Sequence, residues 1–109
     1  MLDTILAKDV LSTAVEQNAL VIDVRDYESF RKGHIPMAIW MDLEEIKRGN
    51  IKIRKNRPLI VYCERGSTSM LAAKELNKLG YHAVSVIGGL RQYKGPIARN
   101  NKQSKDGFF

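Results

Sequence analysis

The chain is poor in cysteine and has no long apolar run. Its only cysteine, Cys63, cannot form an intramolecular disulfide, which excludes the disulfide-stapled secreted scaffolds. The longest uninterrupted apolar runs, such as residues 59–63, are far shorter than the roughly 20 residues that a membrane-spanning helix needs. No basic leader followed by a long apolar stretch opens the sequence, so we expect no signal peptide, no membrane partner and a cytoplasmic location.

The composition is that of an ordinary globular protein, with 44% hydrophobic and 28% charged residues in 109 positions, and this length predicts one domain. The net charge of +6 is compatible with nucleic acid, an acidic protein or a small anionic substrate as partner. Six basic residues follow one another without an intervening acid: Lys47, Arg48, Lys52, Arg54, Lys55 and Arg57. Runs of charged residues usually face solvent, so we interpret the stretch as a solvated loop. No aromatic residue interrupts it to stack on bases, so no nucleic-acid partner is indicated.

Strand-like and helix-like segments alternate along the chain. Continuous β-branched runs predict buried strands at 20–24, 59–62 and 83–87, with weaker ones at 38–41 and 4–6. Helical spacing of apolar residues predicts a helix at 8–17 and a second one that ends at Gly80, with Ser67 or Thr68 as its N-cap. Shorter helices are predicted at 26–32, 42–48 and after Gly89. The prediction is an α/β domain over 1–98, with a central, mostly parallel five-stranded sheet, helices on both faces and a flexible polar tail at 99–109.

Cys63 follows the strand at 59–62 and precedes the helix that begins near Ser67. Ligands of such sheets bind at the carboxyl ends of the strands, and the start of the next helix stabilises negative charge there. This position is compatible with a reactive thiolate in a loop that faces solvent. The alternative is a small, buried apolar cysteine at the end of a strand. The polar segment that follows, residues 64–69, favours the thiolate.

Three groups of residues resemble the single-domain rhodanese-like sulfurtransferases. Residues 63–69, Cys-Glu-Arg-Gly-Ser-Thr-Ser, resemble the active-site loop of this family, a Cys-x-x-Gly-x-Ser/Thr pattern that leads into a helix. Residues 20–26 with Phe30, and Gly-His-Ile-Pro at 33–36, resemble its N-terminal signatures, and residues 72–90 resemble its C-terminal pattern. Met37 and Tyr93 stand where the family usually has glycine and often has tryptophan.

The resemblance implies a sulfurtransferase that forms a persulfide on Cys63. A sulfane sulfur moves from a small anionic donor such as thiosulfate to Cys63 and then to an acceptor, which is cyanide, a thiol or a protein. Arg65 is the candidate for attracting the donor, and no metal or organic cofactor is implied. The backbone amides that would hold the persulfide belong to Glu64, Arg65, Gly66, Ser67 and Thr68.

Other residues and functions are less favoured. The family resemblance implies a structural role for His34, and we expect Asp23 and Arg25 to anchor a loop through local hydrogen bonds. Phosphatases and arsenate reductases of the same fold carry a Cys-x5-Arg loop, but Ser69 stands at the arginine position and offers no bidentate partner for a phosphoryl group. A sulfur carrier, or a protein-binding or regulatory module without free turnover, is the alternative function.

Overall fold

The computed structural model describes residues 3–100. Its strands are β1 (Thr4–Leu6), β2 (Leu20–Asp23), β3 (Ile39–Trp40), β4 (Leu59–Tyr62) and β5 (Ala83–Ile87). Its helices are α1 (Val10–Gln17), α2 (Tyr27–Lys32), α3 (Leu43–Lys47) and α4 (Ser67–Lys78), with 3₁₀ turns at Ala7–Asp9 and Gly89–Gln92.

All strand pairs of the sheet are parallel, in the order β1-β5-β4-β2-β3. Strand β4 lies in the middle, where Val61 pairs with Ile22 of β2 and with Ser85 of β5. The predicted α/β architecture with a five-stranded parallel sheet is therefore confirmed. The central strand, β4, ends at Tyr62, and Cys63 follows it directly.

Each face of the sheet is buried under two helices. Phe30 of α2 and Val10 of α1 pack on one face with Tyr62. Leu76 of α4 and Ile46 of α3 pack on the other face. Side chains of a strand alternate between the two faces, so a strand covered on both sides must be apolar throughout. This explains why β4 is buried at all four positions and why its sequence is a continuous apolar run.

Helix α4 begins differently from the prediction. Ser67 and Thr68 lie inside the helix, and Gly66 is the N-cap, with a left-handed φ of 110°. The predicted serine or threonine cap is wrong because the chain must turn sharply at Gly66, and a residue with a Cβ rarely adopts that conformation. At the other end, the helix stops at Lys78, just before Gly80 with its φ of 99°.

The beginning of the predicted polar tail is hydrogen-bonded to α2. Arg99 Nε donates to the carbonyl of Lys32 at 3.1 Å, and the amide of Asn100 donates to the carbonyl of Arg31 at 3.1 Å. The rest of that segment, 101–109, lies outside the described residues. Across residues 3–100, none of the helices has the length and apolar character to cross a bilayer.

Candidate active site

Cys63 lies at the carboxyl end of the central strand, beneath the start of α4. Its Sγ accepts a hydrogen bond from the backbone N–H of Gly66 at 3.0 Å and another from that of Ser69 at 3.2 Å. The prediction that Cys63 faces solvent is wrong, because the residue is only 4% exposed and belongs to the core on the α4 face. Cys63 is therefore buried, and its sulfur accepts from two backbone N–H donors that favour an anion.

Ser69 lies in the predicted loop motif at 63–69 but outside the predicted persulfide-binding residues, 64–68, and its backbone N–H donates to Sγ. Its Oγ donates to the carbonyl of Gly66 at 3.1 Å and shares a 2.8 Å hydrogen bond with Oγ of Ser85 on β5. Both serines are buried. Together they tie the first turn of α4 to the sheet and hold the Ser69 N–H against Sγ. The sequence signal for Ser69 is its place in the Cys-x-x-Gly-x-Ser/Thr-Ser segment, three residues after Gly66.

The Gly88–Gly89 turn supports the loop from the β5 side. The N–H groups of Leu90 and Arg91 donate to the carbonyls of Cys63 and Glu64, at 2.9 and 3.1 Å. These bonds satisfy the carbonyl groups of Cys63 and Glu64 and fix the path of the loop backbone. A Cβ on Gly89, where φ is +64°, would lie 2.5 Å from the carbonyl oxygen of Cys63. Only glycine therefore allows this close approach.

An open cleft of about 460 Å³ lies on the α2 side of the loop. The carboxyl end of β2, the start of α2 and the loop after β4 form its walls. Hydrogen bonds from the hydroxyl and backbone N–H of Ser29 hold the pKa of the Asp26 carboxyl below its ordinary value. The cleft is lined by Val24, Arg25, Asp26, Ser29, Cys63, Glu64 and Thr68.

Arg25 connects this cleft to the protein interior. Its Nε lies 3.1 and 3.0 Å from the two carboxylate oxygens of buried Asp23, and its Nη2 donates to Asp23 Oδ2 at 2.7 Å and to the carbonyl of Gly33 at 2.6 Å. Its Nη1 contacts Glu64 Oε1 at 3.4 Å. Burial opposes the charge, but the hydrogen bonds to and attraction by Asp23 outweigh it and raise the pKa of Arg25. The expected anchoring by Asp23 and Arg25 is confirmed.

Tyr62 completes the buried network below the loop. Its hydroxyl accepts a hydrogen bond from the Ile35 N–H at 3.0 Å. Burial, and then the charge of Asp23 and a hydrogen bond to it, raise the pKa of the Tyr62 hydroxyl. Strand β2, strand β4 and the segment after α2 are thereby joined by polar contacts that apolar packing alone would not specify.

The loop residues predicted from the sequence divide between two surfaces. Glu64 and Thr68 line the cleft together with Cys63. Arg65, Gly66 and Ser67 instead line a second groove of about 200 Å³ between the loop and β5. The structure therefore does not bring Arg65 into the cleft where Cys63 lies.

His34 lies below the surface and has structural contacts. It is 4% exposed, its ring stacks on Phe30 at 4.1 Å between centroids, and Nδ1 lies 2.7 Å from the carbonyl of Phe30. These contacts fit the expected structural role. Within the described part of the chain, no three His, Cys, Asp or Glu side chains are grouped so that they could hold a metal ion.

Comparison with known proteins defines the family. The profile of the rhodanese-like domain matches residues 6–95, and the chain belongs to this family. Two similar relatives are thiosulfate sulfurtransferases GlpE, one from Coxiella burnetii and one from Pseudomonas savastanoi. The first is 31% identical over 80% of this chain and 84% of its own length. The second is 36% identical over 72% of this chain and 76% of its own length.

Larger proteins contain similar segments. A tRNA sulfurtransferase from Desulfurococcus amylolyticus is 29% identical over 79% of this chain, which spans only 17% of that protein. Among solved structures, a rhodanese homolog from Thermus thermophilus is 34% identical, with a TM-score of 0.67 over 84% of this chain and 99% of its own. The chain thus belongs to a family whose similar named relatives include sulfurtransferases.

Proposed function

We propose that this protein is a rhodanese-type sulfurtransferase that carries a sulfane sulfur on Cys63 as a persulfide. The observation that carries the proposal is the pair of backbone N–H groups, from Gly66 and Ser69, directed at Sγ. Such donors stabilise a sulfur anion more strongly than a neutral thiol. They lie at the start of α4, where the helix dipole adds to the stabilisation of a sulfur anion.

Loading of Cys63 is a nucleophilic displacement. With thiosulfate as donor, the Cys63 thiolate attacks the sulfane sulfur, the sulfur–sulfur bond of thiosulfate breaks, and sulfite leaves with the bonding electron pair. The product is an anionic persulfide on Cys63. The amides from Glu64 to Thr68, together with that of Ser69, are the donors that we assign to this anion. Arg65, in the neighbouring groove, adds positive potential near the loop without contacting the sulfur.

Discharge regenerates the thiolate. A nucleophilic acceptor attacks the outer sulfur, the persulfide bond breaks, and the electron pair returns to Cys63 Sγ. Cyanide yields thiocyanate, whereas a small thiol or a protein thiol becomes a persulfide itself. The relatives named as thiosulfate sulfurtransferases support a small anionic donor. A thiolate that must remain reduced suits the cytoplasm, where we place the reaction.

The test is thiocyanate production from thiosulfate and cyanide by the wild-type protein and by Cys63→Ser. The serine oxygen can accept the N–H bonds of Gly66 and Ser69, so this variant should stay folded. Burial of a more polar atom in the core makes a loss of about 1–2 kcal/mol our expectation. Thermal melts check folding on the same preparation. Turnover by a folded Cys63→Ser variant would overturn the proposal.

A sulfur carrier without free turnover is the second candidate. A putative sulfur carrier protein from Bacillus subtilis, YrkF, is 28% identical over 73% of this chain and 44% of its own length. Burial of Cys63, a residue that is 4% exposed, favours this candidate, because it slows discharge by any freely diffusing acceptor. A persulfide that forms on Cys63 but is not discharged by cyanide would identify a sulfur carrier.

A further inference from the structure

The charged groups around the Cys63 cleft are mainly acidic. Asp26 and Glu64 line it, and Arg25 is the single basic side chain among its lining residues. The side chain of Glu64 is 56% exposed. The hydrogen bonds from Ser29 favour the ionised form of the Asp26 carboxyl and lower its pKa from the ordinary value of 3.8, which is already far below neutral pH. Two ionised carboxylates therefore face the space through which a sulfur donor or acceptor must approach.

The positive charge of Arg25 is already neutralised by other groups. Its guanidinium is engaged by Asp23 and the carbonyl of Gly33, while Nη1 points at Glu64. Its side chain is only 9% exposed. Counting Asp23, one cation stands against three carboxylates around the site. An anion that enters the cleft would have to compete with Asp23 for a buried guanidinium, and breaking such a buried pair is costly.

The basic character of the chain lies elsewhere. The net charge of +6 includes Arg65, which lines the separate groove towards β5, and the basic stretch that precedes β4. The basic residues that attract anions from a distance therefore lie outside the cleft, whereas the potential next to the sulfur depends on the residues that line the cleft. Over a few ångströms, the nearby carboxylates dominate because salt screens the more distant charges.

We infer that Glu64 and Asp26 make the Cys63 cleft select sulfur donors and acceptors that carry a positive charge or none, over anionic ones. The preferred partner class is a thiol or persulfide with an ammonium group close to its sulfur, on a small molecule or beside a basic side chain of a protein. Thiosulfate, a dianion, is then a usable but disfavoured donor. The inference rests on the proposed persulfide chemistry and assigns Glu64 as a specificity-determining residue.

The experiment separates discharge from loading. Cys63 is first loaded with excess thiosulfate, and intact mass confirms the gain of one sulfur. The loaded protein is freed of donor and mixed with cysteamine, mercaptoethanol or mercaptopropionate, whose charges beside the thiol are positive, zero and negative. Single-turnover loss of the added sulfur is followed by mass. Wild type and Glu64→Gln are compared with a control, Glu75→Gln. This control removes a carboxylate that lies two turns into α4 and pairs there with Lys78.

Intrinsic differences among the thiols cancel when one ratio is compared between variants. We expect the ratio of the cysteamine rate to the mercaptopropionate rate to fall about fivefold in Glu64→Gln. The loss of the carboxylate and the release of Arg25 Nη1 both make the cleft more positive, which slows the cationic thiol and speeds the anionic one. Glu75→Gln should keep the wild-type ratio. An unchanged ratio in Glu64→Gln, or an equal change in both variants, overturns the inference. Absence of any persulfide, with thiosulfate or with an uncharged donor, instead contradicts the proposed function.

Discussion

The two sides of the 63–69 loop are held by different kinds of contact. On the α2 side, charged side chains meet it, with Arg25 reaching from buried Asp23 to Glu64. On the β5 side, the backbone of the Gly88–Gly89 turn meets it, with amides of the following residues on the carbonyls of Cys63 and Glu64. The first side forms an open cleft, and the second permits no added side-chain atom at Gly89.

This difference separates two tasks. The backbone contacts on the β5 side determine the shape of the loop and thereby direct the N–H groups towards Sγ. The side chains on the α2 side determine the electrostatic potential at the place where substrates approach. Substitutions in the Gly88–Gly89 turn should therefore affect all substrates equally, whereas charge changes at Glu64 should alter the order of preference among them.

The largest expected effect is on the α2 side, at the buried ion pair. Arg25→Gln leaves the fully buried Asp23 without its cation, which should destabilise the protein by about 3–5 kcal/mol. Urea denaturation measures the loss. The matched control is Arg48→Gln, which breaks an exposed ion pair with Glu45 and should cost at most about 1 kcal/mol. Equal costs for the two variants would refute the structural importance of the Arg25 network.

The next effect is on the β5 side. In Gly89→Ala the new Cβ would meet the carbonyls of Cys63 and Glu64 at 2.5 and 2.6 Å, so the loop must shift. We expect a loss of about 2–4 kcal/mol and a large fall in sulfur transfer that is similar for all acceptors. Gly49→Ala is the control, because its φ of +75° is comparable but its Cβ would meet only Leu79, at 3.5 Å. It should cost about 1 kcal/mol and leave transfer intact. Normal transfer by Gly89→Ala would show that the turn does not shape the loop.

A smaller effect concerns Tyr62, the buried last residue of β4, which directly precedes the 63–69 loop. Tyr62→Phe leaves the Ile35 N–H without its acceptor and should cost about 1–3 kcal/mol at neutral pH. Because folding raises the pKa of Tyr62, the native state favours the neutral hydroxyl. Its contribution is complete below the ordinary phenol pKa of about 10 and is lost as the pH rises above that value.

The stability difference between wild type and Tyr62→Phe should therefore be constant from pH 7 to 9 and shrink above about pH 10. Urea midpoints at a series of pH values measure this difference. A gap that widens at alkaline pH would contradict the assigned direction of the Tyr62 shift.

The sheet was predictable because β4 is apolar at every position and because glycines mark the ends of helices, as Gly33 does after α2 and Gly80 after α4. The position of Cys63 between β4 and α4 followed from the same pattern. Its burial did not, because this depends on the left-handed conformation of Gly66 and on support from Gly89, which is distant in sequence. The direction of a loop side chain depends on the path of the backbone, so the separation of Glu64 from Arg65 could not be predicted either.

The central claim is that Cys63 carries sulfur. Intact mass of the wild-type protein after incubation with thiosulfate, and in parallel with an uncharged sulfane-sulfur donor, tests it most directly. The account predicts a gain of one sulfur, located by peptide mapping on the segment that contains Cys63 and removed by a nucleophilic acceptor. A protein that stays folded and gains no sulfur from either donor would contradict it.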